Sequence, residues 1–338
     1  MARHARPHGD PRLPVAGGLA AERGAAGTLV ESVAGGRRSH HAALGAWAVR
    51  EVAAFHLARV AAAAAEAQLP LMVLKGMWLQ AYAYENADDR PFADLDLLIP
   101  REALGRMHGL LSALGYGLSI HSPGDVARLY TSADGFQLDV HYELFPDGLF
   151  RLRGRDVLRR GRTAERLAIP SLLVPEPYDG LAHLVGHFAK GRHGPRDGKL
   201  LRDFEELARA SQLDPDRAAR HLVAGGLRRA AQYALQFGVG GSFAARALAA
   251  LPPDPVGRRV VNALGTPTPN DRVPRVADRF FAFALDHDLP SGARACVRRG
   301  VGLLRDGGPS RLLSPLIGAS RAARVGGALG GGTPRGAG

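Results

Sequence analysis

Two carboxylates stand one residue apart in the stretch RPFADLDLLIP, residues 90–100. Side chains alternate between the two faces of a β-strand, so Asp94 and Asp96 would share one face while Leu95 and Leu97 face the core. Neighbouring carboxylates repel each other and stay ionised when a cation or water separates them. Such oxygen ligands suit Mg²⁺, which commonly keeps substrate phosphates in its coordination shell. The alternative is a solvated strand start at which Asp94 caps the preceding loop.

A third acid lies on the later stretch FQLDVHYEL, residues 136–144, in which apolar and polar side chains alternate. Asp139, His141 and Glu143 share the polar face of this strand. If it pairs with the first strand in one sheet, Asp139 joins the two earlier aspartates. Three carboxylates are what a two-metal site requires, with one ion at a triphosphate and one at the attacking oxygen. His141 and Glu143 either support the metal ligands or form a solvated strand face.

A glycine turn precedes both acidic strands, in VLKGMW at residues 73–78. A glycine between a strand and a helix lets the backbone approach a phosphate, and the helix N-terminus favours anions. Lys75 adds a compact positive charge to this turn. Lysine is rare in the chain, because of 44 basic residues only Lys75, Lys190 and Lys199 are lysines. An ammonium differs chemically from a guanidinium, so each of the three is informative about function.

The three motifs, in this order, resemble the uncharacterised bacterial nucleotidyltransferases, a branch of the polymerase-beta-like nucleotidyltransferase superfamily. The matching stretches are LKG at 74–76, Arg90 followed by DLDLL at 94–98, and LDVHYEL at 138–144. The resemblance covers roughly residues 45–210. It implies an α+β fold in which a small mixed-sheet nucleotidyltransferase domain is followed by a helical domain.

The resemblance also implies roles for particular residues. Asp94, Asp96 and Asp139 would be the catalytic metal ligands, and Asp139 would also be placed to activate an acceptor hydroxyl. Lys75 and Gly76 would meet the nucleotide phosphates. Arg90 would hold a phosphate or orient its loop.

The implied activity is transfer of a nucleoside monophosphate from a nucleoside triphosphate to an acceptor, with Mg²⁺ or Mn²⁺ as cofactor and release of pyrophosphate. The acceptor would be a small molecule, a peptide or a protein. The wider superfamily has Gly-Ser where this chain has Lys75 and Gly76. A catalytically silent relative that binds a nucleotide or a protein partner is therefore the alternative, and modification of a nucleic acid is a third option.

A histidine pair lies further along the chain, in HLVGHFAKGRH at residues 183–193. His183 and His187 are one helical turn apart, a spacing that suits zinc, but Leu184 stands where metalloproteases have glutamate. We expect His187 and Lys190, with His141 and Asp203, to line a substrate cleft. The alternative is a hydrogen-bonded structural pair such as His183 with Asp203.

Hydrophobic periodicity predicts the elements that must position these residues. Helices are predicted over 41–68, 75–85, 101–116, 177–190, 198–210, 215–237, 242–250 and 273–286. Strands are predicted at 71–74, 94–99, 117–121, 127–132 and 136–144, with a short hairpin within 162–177. The nucleotidyltransferase-like domain would span residues 41–175 and the helical domain 176–320. A disordered basic segment (1–40) and a flexible Gly-rich tail (321–338) would flank them.

Charge and composition narrow the function classes. The net charge of +12 sits at the ends, with +4 in residues 1–50 and +7 in residues 291–338. A nucleic-acid-binding domain carries its basic stripe on the folded body, so binding of nucleic acid is expected only weakly, through these ends. The lone Cys296 excludes an internal disulfide and agrees with a cytoplasmic location. No long apolar run or signal peptide is present, so no membrane contact is expected.

Overall fold

The computed structural model of the chain describes residues 45, 47–120, 126–265 and 284–285. Contacts divide the chain into two units, residues 1–48 and 49–338, and every described strand lies in the second unit. The predictions for segment 1–40, for the tail and for Cys296 lie outside the described residues, as does nearly all of the helix predicted over 273–286.

A mixed β-sheet forms the core of the first half of this second unit. The described strands are β1 (Leu71–Val73), β2 (Asp94–Leu98), β3 (Gly117–Ile120), β4 (Ala127–Thr131), β5 (Gln137–His141), β6 (Arg162–Thr163) and β7 (Leu172–Val174). Their order in the sheet is β3-β4-β5-β2-β1-β7-β6. β2 runs parallel to β5 and β1 parallel to β7, whereas the other neighbouring strands are antiparallel. β2 and β5 therefore lie at the centre of the sheet.

Helices precede β1 and lie between the strands, and all elements described after β7 are helices. They are α1 (47–66), α2 (Lys75–Tyr82), α3 (Leu104–Ala113), α4 (Gly154–Arg160), α5 (Pro177–Lys190), α6 (Gly198–Ala210), α7 (Pro215–Ala224), α8 (Arg228–Leu235), α9 (Phe243–Ala249) and α10 (Pro255–Gly265). The predicted α+β class, with a mixed sheet and many helices, is confirmed. No helix within the described ranges is long and apolar enough to cross a membrane.

The prediction of one continuous helix over 215–237 is wrong, because the structure has two helices there, α7 and α8. They are separated at Gly225 and Gly226, and Gly226 has a φ of +76°. Glycine adopts this left-handed conformation without the steric cost that a Cβ brings, so the pair ends one helix before the next begins. The bounds predicted for α5 and α6 match the structure, while α4 and α10 were not predicted.

Close packing joins the sheet to the helices. α5 contacts α6, α7 and α8, and α2 contacts both β2 and α6. A Cβ at Gly180 of α5 would lie 2.0 Å from the ring of Trp78 on α2, and Trp78 is 2% exposed. Only glycine lets these two helices approach so closely. α2, which begins at the glycine turn, is thereby held between the sheet and the helices.

Candidate active site

The acidic strands are direct neighbours in the sheet. The parallel register of β2 and β5 sets Asp94 opposite Gln137 and Asp96 opposite Asp139. Since alternate side chains of a strand share a face, the three aspartates lie on the same side of the sheet. The apolar residues that alternate with them on β2 and β5 are at most 1% exposed and hold the two strands in the core: Leu95, Leu97, Leu138 and Val140. The predicted pairing of the two strands is confirmed.

Asp96 lies at the centre of the cluster and is 6% exposed. The Lys75 Nζ donates to its Oδ1 at 2.7 Å, and the His141 Nε2 lies 3.1 Å from the same oxygen. Burial raises the pKa of Asp96, but the Lys75 ammonium and His141 outweigh burial and bring this pKa below its usual range. Asp96 is therefore an ionised carboxylate inside the protein.

Asp94 lies in a different electrostatic environment on the same strand. Burial raises its pKa, and the negative charges of Asp96 and Asp139 raise it further, while Lys75 lowers it. Repulsion from the neighbouring carboxylates therefore disfavours the ionised form of Asp94. A cation bound between the aspartates would relieve this repulsion.

Three side chains with metal-ligating atoms come together at this point. One ligand atom each from Asp96, Asp139 and His141 lies within 4.8 Å of the other two, and the His141 Nε2 is 3.1 Å from the Asp139 Oδ2. Carboxylate oxygens suit Mg²⁺ and Mn²⁺, and an imidazole nitrogen suits transition metals. The group can therefore hold a divalent cation. The sequence placed His141 in the substrate cleft or behind the ligands, whereas its ring nitrogen lies among them.

Glu143 does not belong to this group, although the strand pattern placed it on the same face. β5 ends at His141, and the Glu143 side chain turns inward, where it accepts hydrogen bonds from the backbone N–H groups of Leu144 and Gly154. Glu143 is 8% exposed, so the alternative of a solvated face is wrong for this residue. Its carboxylate supports the start of α4 instead.

The glycine turn packs directly against the acidic strand. The Leu74 backbone N–H donates to the Asp96 carbonyl oxygen at 2.9 Å, which ties the turn to β2. Lys75 has a φ of +40°, an uncommon backbone conformation for a residue with a side chain. A Cβ at Gly76 would lie 2.9 Å from Phe92, on the loop before β2. The turn is therefore a tight junction that aims Lys75 at Asp96.

Arg90 is buried and joined to the helical region. Its Nε donates to the Asp203 Oδ1 at 2.6 Å and its Nη2 to the Asp203 Oδ2 at 2.9 Å. The Tyr84 hydroxyl also donates to the Asp203 Oδ1, at 2.8 Å. A buried carboxylate needs such charge-assisted partners, and the guanidinium donates one hydrogen bond to each carboxylate oxygen. The pair His183–Asp203 weighed from the sequence is therefore replaced by Arg90–Asp203, which ties the loop before β2 to α6.

Lys199 ends the basic stretch GRHGPRDGK, residues 191–199, for which the sequence leaves open closure over phosphates or an exposed connector. It lies one helical turn before Asp203 on α6, and its Nζ is 3.4 Å from the Pro91 carbonyl oxygen. Burial and the Arg90 charge lower its pKa, while Asp203 and Asp94 raise it. The Pro91 contact brings Lys199 to the loop that leads into Asp94. The rarity of lysine and the i, i+4 spacing from Asp203 were the signals available in the sequence.

Two histidines of α5 are buried or half-buried, and the charges of Lys75 and Asp96 act on both. His183 is 3% exposed, and its ring lies 6.4 Å from that of His187. Burial lowers the pKa of His187 to about 3, with a further lowering by the Lys75 charge, and the pKa of His183 is also lowered by burial and Lys75. Both imidazoles are therefore neutral near pH 7. Lys190, the last residue of α5, is exposed.

The chain is similar to proteins of known structure over about half of its length. The crystal structure of ANT(2'')-Ia in complex with adenylyl-2''-tobramycin is 17% identical, with 51% of this chain and 95% of that chain covered and a TM-score of 0.40. The solution structure of the antibiotic-resistance factor ANT(2'')-Ia is 18% identical, with 52% and 90% covered and a TM-score of 0.38. No curated protein matches the sequence significantly. The family model described as uncharacterised nucleotidyltransferase matches residues 37–238, more than half of the chain. This match contains the glycine turn, both acidic strands and Asp203, and the chain belongs to the uncharacterised nucleotidyltransferase family of enzymes.

Proposed function

We propose that the protein transfers a nucleoside monophosphate from a nucleoside triphosphate to an acceptor, with Mg²⁺ or Mn²⁺ bound by Asp94, Asp96 and Asp139. The observation that carries the proposal is that these aspartates share one sheet face beside the Lys75–Gly76 turn, where ligand atoms of Asp96, Asp139 and His141 lie within 4.8 Å of one another. A divalent cation held there would neutralise phosphate charge and polarise the α-phosphate.

The transfer step exchanges one bond at phosphorus for another. An acceptor oxygen or nitrogen forms a bond to the α-phosphorus, the bond from that phosphorus to the bridging oxygen breaks, and its electron pair leaves with pyrophosphate. We assign the removal of the acceptor proton to Asp139, whose side chain is 31% exposed, whereas that of Asp96 is 7% exposed. Positioning and neutralisation of charge supply most of the catalysis in such transfers.

The remaining predicted residues receive supporting roles in this proposal. Lys75 and Gly76 meet the phosphates at the turn. Arg90 orients the loop before β2 through Asp203 rather than holding a phosphate, because its Nε and Nη2 are paired with Asp203 and its Nη1 donates to the Pro91 carbonyl oxygen. His187 and Lys190 form the wall of the acceptor cleft. A neutral imidazole there accepts a hydrogen bond from a hydroxyl or ammonium of the acceptor.

One contact favours a second candidate function, that of a catalytically silent relative that binds a nucleotide or a protein partner. The Lys75 ammonium lies 2.7 Å from the Asp96 Oδ1 and neutralises this carboxylate without a metal. Such an ion pair stabilises the folded site whether or not a cation binds. The two candidates differ in whether a covalent product forms.

A transfer assay separates them. The full chain is incubated with α-labelled nucleoside triphosphates, Mg²⁺ or Mn²⁺, and pooled small-molecule, peptide and protein acceptors, and label in the acceptor is measured with released pyrophosphate. We expect Asp94→Asn and Asp139→Asn to lower the rate at least about 100-fold, the scale typical of losing one electrostatic catalytic group. Unchanged rates in both variants would refute the assignment of roles. Nucleotide binding without any transfer would support the silent relative.

A further inference from the structure

Both cations predicted to meet the nucleotide phosphates are paired with carboxylates in the structure. Lys75 donates to Asp96 at 2.7 Å, and Arg90 makes a two-point contact with Asp203 at 2.6 and 2.9 Å. Arg90 is 4% exposed and Asp203 is fully buried. A polyphosphate carries several negative charges, and the charge of each of these two residues is already balanced. A further cation beside the loop that leads into Asp94 would supply positive charge for the phosphates.

Lys199 meets this requirement by its position. It lies at the exposed start of α6, one turn before Asp203. From there its Nζ reaches the Pro91 carbonyl oxygen, on the same loop from which Arg90 reaches Asp203. Among the described residues its ammonium has one acceptor, the Pro91 carbonyl oxygen at 3.4 Å, and no carboxylate lies within ion-pair distance. At 3.4 Å this is a weak hydrogen bond. The Lys199 charge is therefore available to an anion.

We infer that Lys199 binds the β- and γ-phosphate oxygens of the nucleotide and then the pyrophosphate that leaves. This inference rests on the proposed function. An ammonium has three donors and acts as a compact point charge, so it follows a phosphate group without a fixed geometry. The negative charge that grows on pyrophosphate as the bond to the α-phosphorus breaks is the charge that Lys199 neutralises. The hydroxyl missing from the Lys75–Gly76 turn is thus replaced by a cation from α6.

Calorimetric titration of the full chain tests the inference. ATP, AMP and pyrophosphate, each with Mg²⁺, are titrated into the wild type, Lys199→Met, Lys199→Arg and the control Arg196→Met. Arg196 is exposed and lies three residues earlier, on the segment between α5 and α6. The control therefore removes one positive charge close to Lys199 in the chain. Loss of one charge-assisted hydrogen bond predicts about 10-fold or more weaker binding of ATP and pyrophosphate by Lys199→Met. AMP affinity should be unchanged, and Lys199→Arg should retain most of the binding because it keeps the charge.

The outcomes separate this inference from the proposed function. If the wild type binds ATP and Lys199→Met binds it equally well, Lys199 has no such role, and nucleotide binding still stands. Equal weakening by Arg196→Met, or equal weakening of AMP binding, would show a general charge effect and overturn the specific contact. If the wild type binds neither nucleotide nor pyrophosphate, both proposals fail. If ATP binding depends on Lys199 but no transfer occurs, the phosphate contact stands and the proposed transfer fails.

Discussion

At the scale of single residues, Asp96 shows how a carboxylate is kept ionised inside a protein. Taking a carboxylate out of water costs several kcal/mol unless charged partners compensate it. Lys75 and His141 supply this compensation at 2.7 and 3.1 Å, and His141 also reaches Asp139. The His141 Nδ1 is buried and has no hydrogen-bond partner among the described residues. Among the described residues, the hydrogen-bond contacts of the ring are therefore made through its Nε2, which lies beside the two aspartates.

Replacement of His141 should therefore weaken metal binding. We expect His141→Ala to lower Mn²⁺ affinity about 10- to 100-fold, the range typical of groups that ligate or orient metal ligands. The measurement is the free Mn²⁺ signal in electron paramagnetic resonance during titration of the full chain. His108→Ala is the control, because His108 contacts Tyr130 at 3.3 Å and belongs to no described metal-binding group. Equal Mn²⁺ affinities of His141→Ala and the wild type would exclude His141 from the site.

At the scale of elements, the position of the site depends on the turn between β1 and α2 and on the loop before β2. The Leu74 N–H bonds to the Asp96 backbone, Gly76 lies against Phe92, and Arg90 reaches across to α6. The first contact is made to β2 itself, and the other two to the loop that leads into it. β2 is consequently held at Asp96 and just before Asp94, so a change in the turn should reach the site through packing.

A Cβ at Gly76 tests this coupling. Gly76→Ala places a methyl group 2.9 Å from the Phe92 Cβ and Cγ, next to the backbone, so the loop must move. Such overpacking should destabilise the fold by about 1–3 kcal/mol in urea unfolding. Gly109→Ala on α3 is the matched control, because its new methyl would meet open space and should stabilise the helix by about 0.5–1 kcal/mol. Similar free energies of unfolding for both variants would show that the Phe92 contact does not constrain the turn.

At the scale of the whole molecule, α5 connects the sheet region to the helices that follow it. Asp179 on α5 is fully buried and accepts two hydrogen bonds from Arg160 on α4, at 2.8 and 2.9 Å, and one from His221 on α7, at 2.9 Å. Burial raises the pKa of Asp179, but His221 and Arg160 outweigh burial, and the net pKa is lowered. Three helices thus meet at one carboxylate outside the proposed active site.

Asp179→Asn should cost about 2 kcal/mol of stability at pH 7, less than a fully buried ion pair, because the Arg160 side chain is 41% exposed. The lowered pKa means that the unfolded chain binds the proton more readily than the folded one. The stabilisation by Asp179 is therefore present above about pH 4, the ordinary value for aspartate, and is lost as the pH falls through the folded pKa. Urea unfolding between pH 7 and pH 3 should show a smaller loss on acidification for Asp179→Asn than for the wild type. Parallel curves would assign the acid sensitivity to other groups.

The sequence by itself determined the candidate residues and their local arrangement. A strand alternates its side chains, so Asp94 and Asp96 had to share a face, and the apolar periodicity of α5 and α6 was strong enough to predict both helices. The order of the three motifs, together with their spacing, indicated the family that the family model confirms. These features depend on neighbours in the chain, where local geometry decides the outcome.

Only the tertiary structure decided which distant residues meet. The register of β2 and β5 places Asp139 beside Asp96, and the packing of α6 on the loop before β2 pairs Arg90 with Asp203 and brings Lys199 to the Pro91 carbonyl oxygen. The sequence shows these residue types but does not predict which of them pair. A buried charge pairs with the opposite charge that the packed elements bring within hydrogen-bond distance. Strand pairing and helix docking are set by burial over the whole core. For that reason the roles of Arg90 and Lys199 follow from contacts more than 100 residues apart in the chain.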